Sequence, residues 1–255
     1  MKIGLEYIKY RWKAKKRHGI HSPFVYDLTD NCLKKSIDKK NQSQLNAVFE
    51  QLRNNQSEII IQDFGVGSKK LSNVRKVSSI FNTSSSHGKY GSLLFKLSNH
   101  YKPNRILELG TSLGVGTAYL KLGHPASKIT TLEACPGTWE VANSTFKKLE
   151  LNEISSILTT FDEYLKKARN ESFDLVFVDG HHDGKALLDY MDHLRRITHD
   201  QTIFVLDDIR WSSSMLDAWQ NIIADKQYHV TLDFFRFGIV IRRPQQTKEH
   251  FLLKL

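Results

Sequence analysis

The stretch that decides the fold runs from Ile106 to Thr117 and reads ILELGTSLGVGT. A short apolar strand leads into a loop with glycines at positions 110, 114 and 116, and a helical pattern begins near Val115. Glycine allows a backbone to approach a ligand closely, and a helix N-terminus favours negative charge. The stretch therefore predicts a ligand-binding turn between a strand and a helix, at the carboxyl edge of an open sheet.

Short apolar strands alternate with helical stretches on both sides of this turn. The predicted strands are Arg105–Leu109, Lys128–Leu132, Ser155–Leu158, Phe173–Val178 and Thr202–Leu206. This alternation predicts a parallel α/β sheet with helices on both faces. Two later strands, His229–Asp233 and Gly238–Arg242, are joined by a short connection, which predicts an antiparallel hairpin at the sheet edge.

The loop favours a nucleoside over a dinucleotide. Its spacing, Glu-x-Gly-x-x-x-Gly-x-Gly, differs from the Gly-x-Gly-x-x-Gly of dinucleotide-binding folds, which argues against an NAD-dependent dehydrogenase. Glu133 ends the next strand, where a carboxylate can accept two hydrogen bonds from a ribose diol. The alternative is a tight turn with Glu133 as a surface acid.

The segments Tyr90–Leu94 and Ile106–Gly110, with Pro103 between them, resemble class I S-adenosylmethionine (SAM) methyltransferases. Within this class the chain is most similar to metal-dependent O-methyltransferases of the catechol and caffeoyl-CoA type, over about residues 88–243. The resemblance implies a Rossmann-like seven-stranded sheet with an antiparallel last strand. The cofactor-binding positions that it implies are Glu108, Gly110, Gly114, Glu133, Phe161, Asp162 and Asp179.

Three carboxylates follow two successive strands. Asp179 ends one strand, and Asp207 and Asp208 end the next. If these strands are neighbours, the carboxylates converge, and such an oxygen cluster suits Mg²⁺ or Mn²⁺. Each aspartate could instead cap a helix or start a turn. The resemblance also implies these three residues as metal ligands, although Asp208 stands where the family usually has Asn.

The pair His181-His182 follows Asp179 and Gly180. By the resemblance His182 occupies the position of the family's base, and an imidazole can accept a hydroxyl proton at neutral pH. We therefore predict His182 and Asp179 as catalytic residues. Either histidine could also be solvated or act as a ligand, and His181 is left unassigned.

The acceptor region is predicted to follow Asp208. Trp211 and Met215 could form an apolar wall there, whereas Trp219 has the spacing of a core residue. Arg236 lies near the position where catechol-type enzymes carry an acidic substrate contact. This reversal of charge argues against a catechol acceptor and favours an anionic one, unless Arg236 is an exposed turn residue.

The charge is concentrated in one part of the chain. The 255 residues carry a net charge of +10, and residues 1–90 account for all of it, with 17 basic and 7 acidic side chains. We predict a basic helical extension over residues 1–90 and a catalytic domain over residues 91–255. The extension could be a lid, an acceptor-binding region or a homodimer interface.

Two sequence features of the extension add to this interpretation. Its segment 17–26, RHGIHSPFVY, resembles the opening of an uncharacterised group of bacterial methyltransferases of the Bacteroidetes type, and this implies no substrate. The stretch 63–68, DFGVGS, looks like a second nucleotide loop, but a simple turn is favoured.

The function predicted from the sequence is O-methylation of a small-molecule hydroxyl, with SAM as cofactor, a divalent metal and a His base. Alternatives are a nucleic-acid methyltransferase that uses the basic extension on phosphates, a membrane-surface enzyme with Ile3, Leu5, Ile8 and Trp12 on lipid, and a non-catalytic SAM-binding protein. Two distant cysteines and the lack of a long apolar run or signal-peptide pattern predict a cytoplasmic protein.

Overall fold

A computed structural model describes residues 3–14, 22–62 and 72–255. The chain falls into two compact units. We call Met1–Asp30 with Asp162–Leu255 the terminal unit, and Asn31–Phe161 the central unit. The predicted loop at 63–68 lies outside the described residues. Residues 15–21, which include several of the basic side chains, also lie outside them.

Helices and strands alternate along the described chain. The helices are α1 (Ile3–Lys13), α2 (Pro23–Asp27), α3 (Lys39–Asn54), α4 (Val77–Ser84), α5 (Lys89–Tyr101), α6 (Val115–Gly123), α7 (Pro136–Lys148), α8 (Phe161–Lys167), α9 (Gly184–Leu194) and α10 (Ser213–Ala224). The strands are β1 (Glu58–Gln62), β2 (Ser72–Lys76), β3 (Arg105–Leu109), β4 (Lys128–Glu133), β5 (Ile154–Leu158), β6 (Phe173–Val178), β7 (Thr198–Leu206), β8 (Val230–Asp233), β9 (Gly238–Ile241) and β10 (Glu249–Leu252).

The central unit contains three parallel strands in the order β3-β4-β5. The apolar side chains of β3 and β4 are buried. Helices α5 and α6 pack closely, because glycines in them face aromatic and backbone atoms. A side chain at Gly91 would place its Cβ 2.1 Å from the ring of Tyr119. The antiparallel pair β1-β2 forms a separate small sheet in this unit.

The terminal unit contains five strands in the order β10-β8-β9-β7-β6. Strands β6 and β7 are parallel, and β9 runs antiparallel to both β7 and β8, which confirms the predicted hairpin. The hairpin is not at the edge, however, because β10 pairs with β8 outside it. The five strands of this unit and the three parallel strands of the central unit make eight among the described residues, one more than the seven predicted. The α/β fold class predicted from the sequence is confirmed.

Helix α1 packs on its unit through its two tyrosines. Tyr10 is buried and donates its hydroxyl hydrogen bond to the Leu253 carbonyl, and the ring of Tyr7 meets that of Phe235 edge-on at 4.9 Å. Ile8 and Trp12 share the opposite, exposed face, and Trp12 is 86% exposed. The predicted boundary at residue 90 falls within α5, and the functional division that it implies stays a prediction.

Candidate active site

The glycine-rich loop of the central unit has the backbone that the sequence predicts. Gly110 and Gly114 have φ angles of 105° and 79°, which side chains other than glycine rarely adopt. A Cβ on Gly114 would also lie 2.6 Å from the ring of Phe146. The amides of Gly110 and Thr111 both donate to the Leu132 carbonyl, at 3.0 and 3.1 Å, so the loop is fixed to the end of β4.

Glu133 is held at this loop by backbone amides. Its Oε2 accepts from Ser112 at 2.8 Å, and its Oε1 accepts from Ala134 and Cys135, both at 2.9 Å. Burial raises the pKa of Glu133, while these amides oppose the shift. The carboxylate is therefore not a solvated surface acid. It is a fixed acceptor beside the loop.

Glu108 lies beneath the loop. It is 1% exposed and accepts hydrogen bonds from the hydroxyls of Thr117 and Thr131, the latter at 2.6 Å. The hydroxyl of Thr111 lies 2.6 Å from that of Thr131, which extends the network into the loop. Burial raises the pKa of Glu108 to about 7. Glu108 thus supports the loop from inside.

The two remaining predicted cofactor positions follow β5. Phe161, the first residue of α8, is partly buried and belongs to the central unit. Asp162 is exposed and belongs to the terminal unit.

The three aspartates of the terminal unit converge as predicted. Strands β6 and β7 align Val178 with Leu206, and the Asp207 amide donates to the Val178 carbonyl at 2.9 Å. Burial and the neighbouring Asp207 raise the pKa of Asp179 well above its ordinary value, and its carboxyl group is hydrogen-bonded to Asp207. Burial and Asp207 likewise raise the pKa of Asp208.

Arg236 provides the positive charge of this cluster. Its Nε and Nη2 donate to the two carboxylate oxygens of Asp207 at 2.7 and 2.6 Å, and its Nε lies 3.1 Å from Asp208 Oδ1. Arg236 is therefore not an exposed turn residue.

The arrangement does not fit the predicted divalent metal. Both oxygens of Asp207 and one of Asp208 already face the guanidinium, in the place that a cation would take. Within the described residues, no group of three or more His, Cys, Asp or Glu side chains is placed to hold a metal ion.

The two histidines have different surroundings. His182 Nδ1 lies 3.6 Å from Asp208 Oδ2, and its ring centroid is 5.5 Å from that of Trp211, which is 64% exposed. His181 instead stacks on Tyr190 and shares a hydrogen bond with its hydroxyl. Of the two, His182 is thus the one paired with a carboxylate.

The acceptor wall predicted from Trp211 and Met215 is only half present. Trp211 lies beside His182, but Met215 is 3% exposed and packs inside the unit. Trp219 is fully buried, as its spacing predicts. Its Nε1 donates to Asp233 at 3.1 Å.

Several residues at and around the three aspartates of the terminal unit have left-handed backbone conformations. The φ angles of His181, His182, Asp208 and Phe235 are 66°, 26°, 51° and 73°. Such conformations cost about 1–3 kcal/mol each outside glycine and persist where their surroundings fix them, often at functional sites. Four of the ten described non-glycine residues with positive φ therefore lie at this site.

The sequence did not reveal what holds the turn that carries Arg236. Arg210 is 7% exposed, forms a bidentate pair with Asp233 at 2.8 and 2.6 Å, and donates to the Phe235 carbonyl at 2.9 Å. The ring of Tyr10 in α1 packs 5.3 Å from that of Phe235. In the sequence, this network is indicated only by Arg210, a basic residue two positions after the aspartate pair.

The comparisons with known proteins agree with this geometry. The strand order and the glycine-rich loop followed by an acid are those of the class I methyltransferase fold. More particularly, residues 107–209 match the family model described as "Methyltransferase domain", so this segment is a methyltransferase domain. A search of curated proteins gave no match by sequence.

Solved structures show the same fold. The SAH-bound Podospora anserina methyltransferase PaMTH1 matches with a TM-score of 0.61 and 19% identity, over 88% of this chain and 96% of that one. The O-methyltransferase from Bacillus cereus in complex with SAH matches with a TM-score of 0.58 and 17% identity, over 85% and 96%. The O-methyltransferase TomG from Streptomyces achromogenes, in complex with SAM, gives 0.56 and 13%, over 86% and 94%.

Proposed function

We propose that the chain is a SAM-dependent O-methyltransferase that acts on the hydroxyl of a small molecule. The observation that carries the proposal is the pair of His182 and Asp208 beside the exposed ring of Trp211, in a chain with a methyltransferase domain. A histidine oriented by a carboxylate is suited to remove a hydroxyl proton. The SAM- and SAH-bound structures of similar fold support the choice of cofactor.

The cofactor is assigned to the central unit. We propose that Glu133 accepts hydrogen bonds from the ribose hydroxyls, because three backbone amides already hold its carboxylate in one position. The loop between Gly110 and Gly114 would pass close to the methionine part of SAM, where a side chain would obstruct it. Glu108 supports this loop, and Phe161 and Asp162 remain candidates for the adenine side.

The reaction is an in-line displacement. The acceptor oxygen attacks the SAM methyl carbon, a C–O bond forms and the C–S bond breaks, and the sulfonium becomes the neutral thioether of SAH. His182 takes the hydroxyl proton at Nε2, because Asp208 faces Nδ1 and stabilises the imidazolium that forms. Asp179 is hydrogen-bonded to Asp207 and would position it.

The test starts from the cofactor and proceeds to turnover. We expect calorimetry to show stoichiometric SAM and SAH binding. We also expect transfer of a labelled methyl group from SAM to at least one member of a panel of phenols and alcohols. With that acceptor, His182→Gln should lower kcat by about 10²–10⁴-fold and leave SAM affinity unchanged.

The matched control is His193→Gln, which changes a histidine near the end of α9. It should retain the turnover of the unaltered protein. Equal turnover of the two variants would remove His182 from the mechanism, and absence of SAM binding would overturn the proposed function as a whole.

A membrane-surface acceptor is the second candidate. The exposed Ile8 and Trp12 lie one helical turn apart on α1, with Lys9, Arg11 and Lys13 around them. Such a face suits the surface of an anionic bilayer. No helix of the described residues is long and apolar enough to cross a membrane.

A further inference from the structure

The carboxylate cluster of the terminal unit already contains a cation of its own. Arg236 meets Asp207 with two parallel hydrogen bonds of 2.7 and 2.6 Å and reaches Asp208 at 3.1 Å. The side chain of Asp207 is fully buried and that of Arg236 is 29% exposed. A planar guanidinium matches a carboxylate in this bidentate geometry better than any other side chain does.

The main chain that carries Arg236 is also held by hydrogen bonds. The Arg236 amide donates to the Phe234 carbonyl at 3.0 Å, and the Arg236 carbonyl accepts from Ile209 at 3.1 Å. The preceding residue, Phe235, has its carbonyl bound by Arg210 at 2.9 Å and its amide bound by Asp233 at 2.8 Å. Arg236 is thus held through its main chain as well as through its contacts with the carboxylates.

A metal ion would have to displace this group. Mg²⁺ and Mn²⁺ require oxygen ligands that are free to approach within about 2.1 Å, and the oxygens in question are hydrogen-bonded to nitrogen. Placing a divalent ion beside the guanidinium would bring like charges together in a partly buried site, which is costly.

We propose that Arg236 takes the place of the divalent cation, so that this methyltransferase works without a metal ion. The consequence for the acceptor rests on the proposed function. With no metal to lower the pKa of a bound hydroxyl or to chelate two neighbouring ones, proton removal depends on His182. The acceptor is then a single acidic hydroxyl of the phenol type, with a pKa of about 10, and not an aliphatic alcohol or a chelating diol.

Metal binding tests the proposal without turnover. We expect Mn²⁺ to show no binding to the unaltered protein below about 1 mM by calorimetry and electron paramagnetic resonance, with and without SAM. The melting temperature should also stay the same after dialysis against EDTA. Stoichiometric Mn²⁺ binding that Asp207→Asn abolishes would overturn the proposal.

A variant gives the converse result. Arg236→Gln removes the positive charge and leaves three carboxylates, so Mn²⁺ should bind at least about tenfold more tightly than to the unaltered protein. The double variant Arg236→Gln with Asp179→Asn should lose this gain in Mn²⁺ affinity. Arg242→Gln is the control, because Arg242 pairs with a different carboxylate, the exposed Asp200, at 3.4 Å. This variant should bind Mn²⁺ no more tightly than the unaltered protein.

The outcomes separate the two proposals. If Arg236→Gln does not fold, the measurement on the unaltered protein still decides between arginine and metal. If SAM does not bind, the proposed function fails while the metal result stands. If SAM binds and turnover requires Mg²⁺ or Mn²⁺, the function is retained and the role of Arg236 is refuted.

Discussion

At the scale of single residues, Glu108 shows how burial changes an ordinary acid. Its carboxyl group is 1% exposed, and the hydroxyls of Thr117 and Thr131 compensate only part of the loss of water. Burial raises its pKa from 4.5 to about 7. The folded protein therefore retains this proton between these two values, whereas the unfolded chain releases it.

This difference predicts a pH dependence of stability. Because the unfolded chain binds fewer protons, the contribution of Glu108 is fully present below pH 4.5 and is lost as pH rises to about 7. The loss is at most on the order of 3 kcal/mol. Glu108→Gln should unfold in urea with a free energy that is less dependent on pH over this range.

Glu140→Gln is the matched control, since Glu140 is an exposed residue of α7. It should have the pH profile of the unaltered protein. If Glu108→Gln has that profile too, the carboxyl group of Glu108 ionises normally in the fold.

The convergence of Asp179, Asp207 and Asp208 could be predicted from the sequence, because the ends of parallel neighbouring strands meet at one sheet edge. The partner of these residues could not be predicted. Arg236 comes from a turn between β8 and β9, and its approach to Asp207 depends on a packed network around Arg210 that has no sequence period.

At the scale of elements, α9 and α10 pack through a glycine. A Cβ on Gly184, the first residue of α9, would lie 2.0 Å from the Ser214 carbonyl oxygen. Backbone cannot yield as a flexible side chain can, so Gly184→Ala must shift one helix against the other. Since α9 follows the loop of His181 and His182, the shift would reach the proposed base.

Gly184→Ala should lower the free energy of unfolding by about 1–3 kcal/mol, as overpacking does. It should also lower turnover more than SAM affinity. Gly4→Ala is the control in α1, where nothing lies within 4 Å, and it should be neutral or stabilise by up to about 1 kcal/mol. Unfolding in urea measures the stability of the two variants. Equal stabilities would contradict the packing argument.

Most element positions followed from hydrophobic period and glycine placement. Arg105–Leu109 and Phe173–Val178 have the predicted bounds, because apolar runs between polar turns define buried parallel strands. Strand β10 was not predicted. Its residues are only partly buried, and its pairing with β8 is long-range, so the local pattern carries little signal.

At the scale of the whole molecule, the net charge of +10 lies in residues 1–90, the segment that includes α1. Arg11 and Lys13 are exposed on this helix, next to Trp12. A basic surface of this kind binds polyanions through charge, and the binding weakens with salt.

We expect the protein to bind vesicles that contain phosphatidylserine in a salt-dependent manner, and Arg11→Glu with Lys13→Glu to weaken this binding. Trp12→Ser should weaken binding to vesicles but not retention on heparin, since only a bilayer accepts the indole ring. Lys166→Glu with Lys167→Glu, in α8, is the charge-matched control. If the α1 variants bind vesicles and heparin as tightly as the unaltered protein does, α1 is not the basic surface.

The contact between Tyr10 and Leu253 has a consequence for biosynthesis. The central unit is one continuous segment of chain, so it can fold while the ribosome is still adding the residues that follow it. The terminal unit is built from two segments, and Leu253, which accepts the hydrogen bond of Tyr10, is made 243 residues after it. The face of helix α1 that carries Tyr7 and Tyr10 therefore stays uncovered until the residues that pack on it, Phe235 and Leu253, have been made.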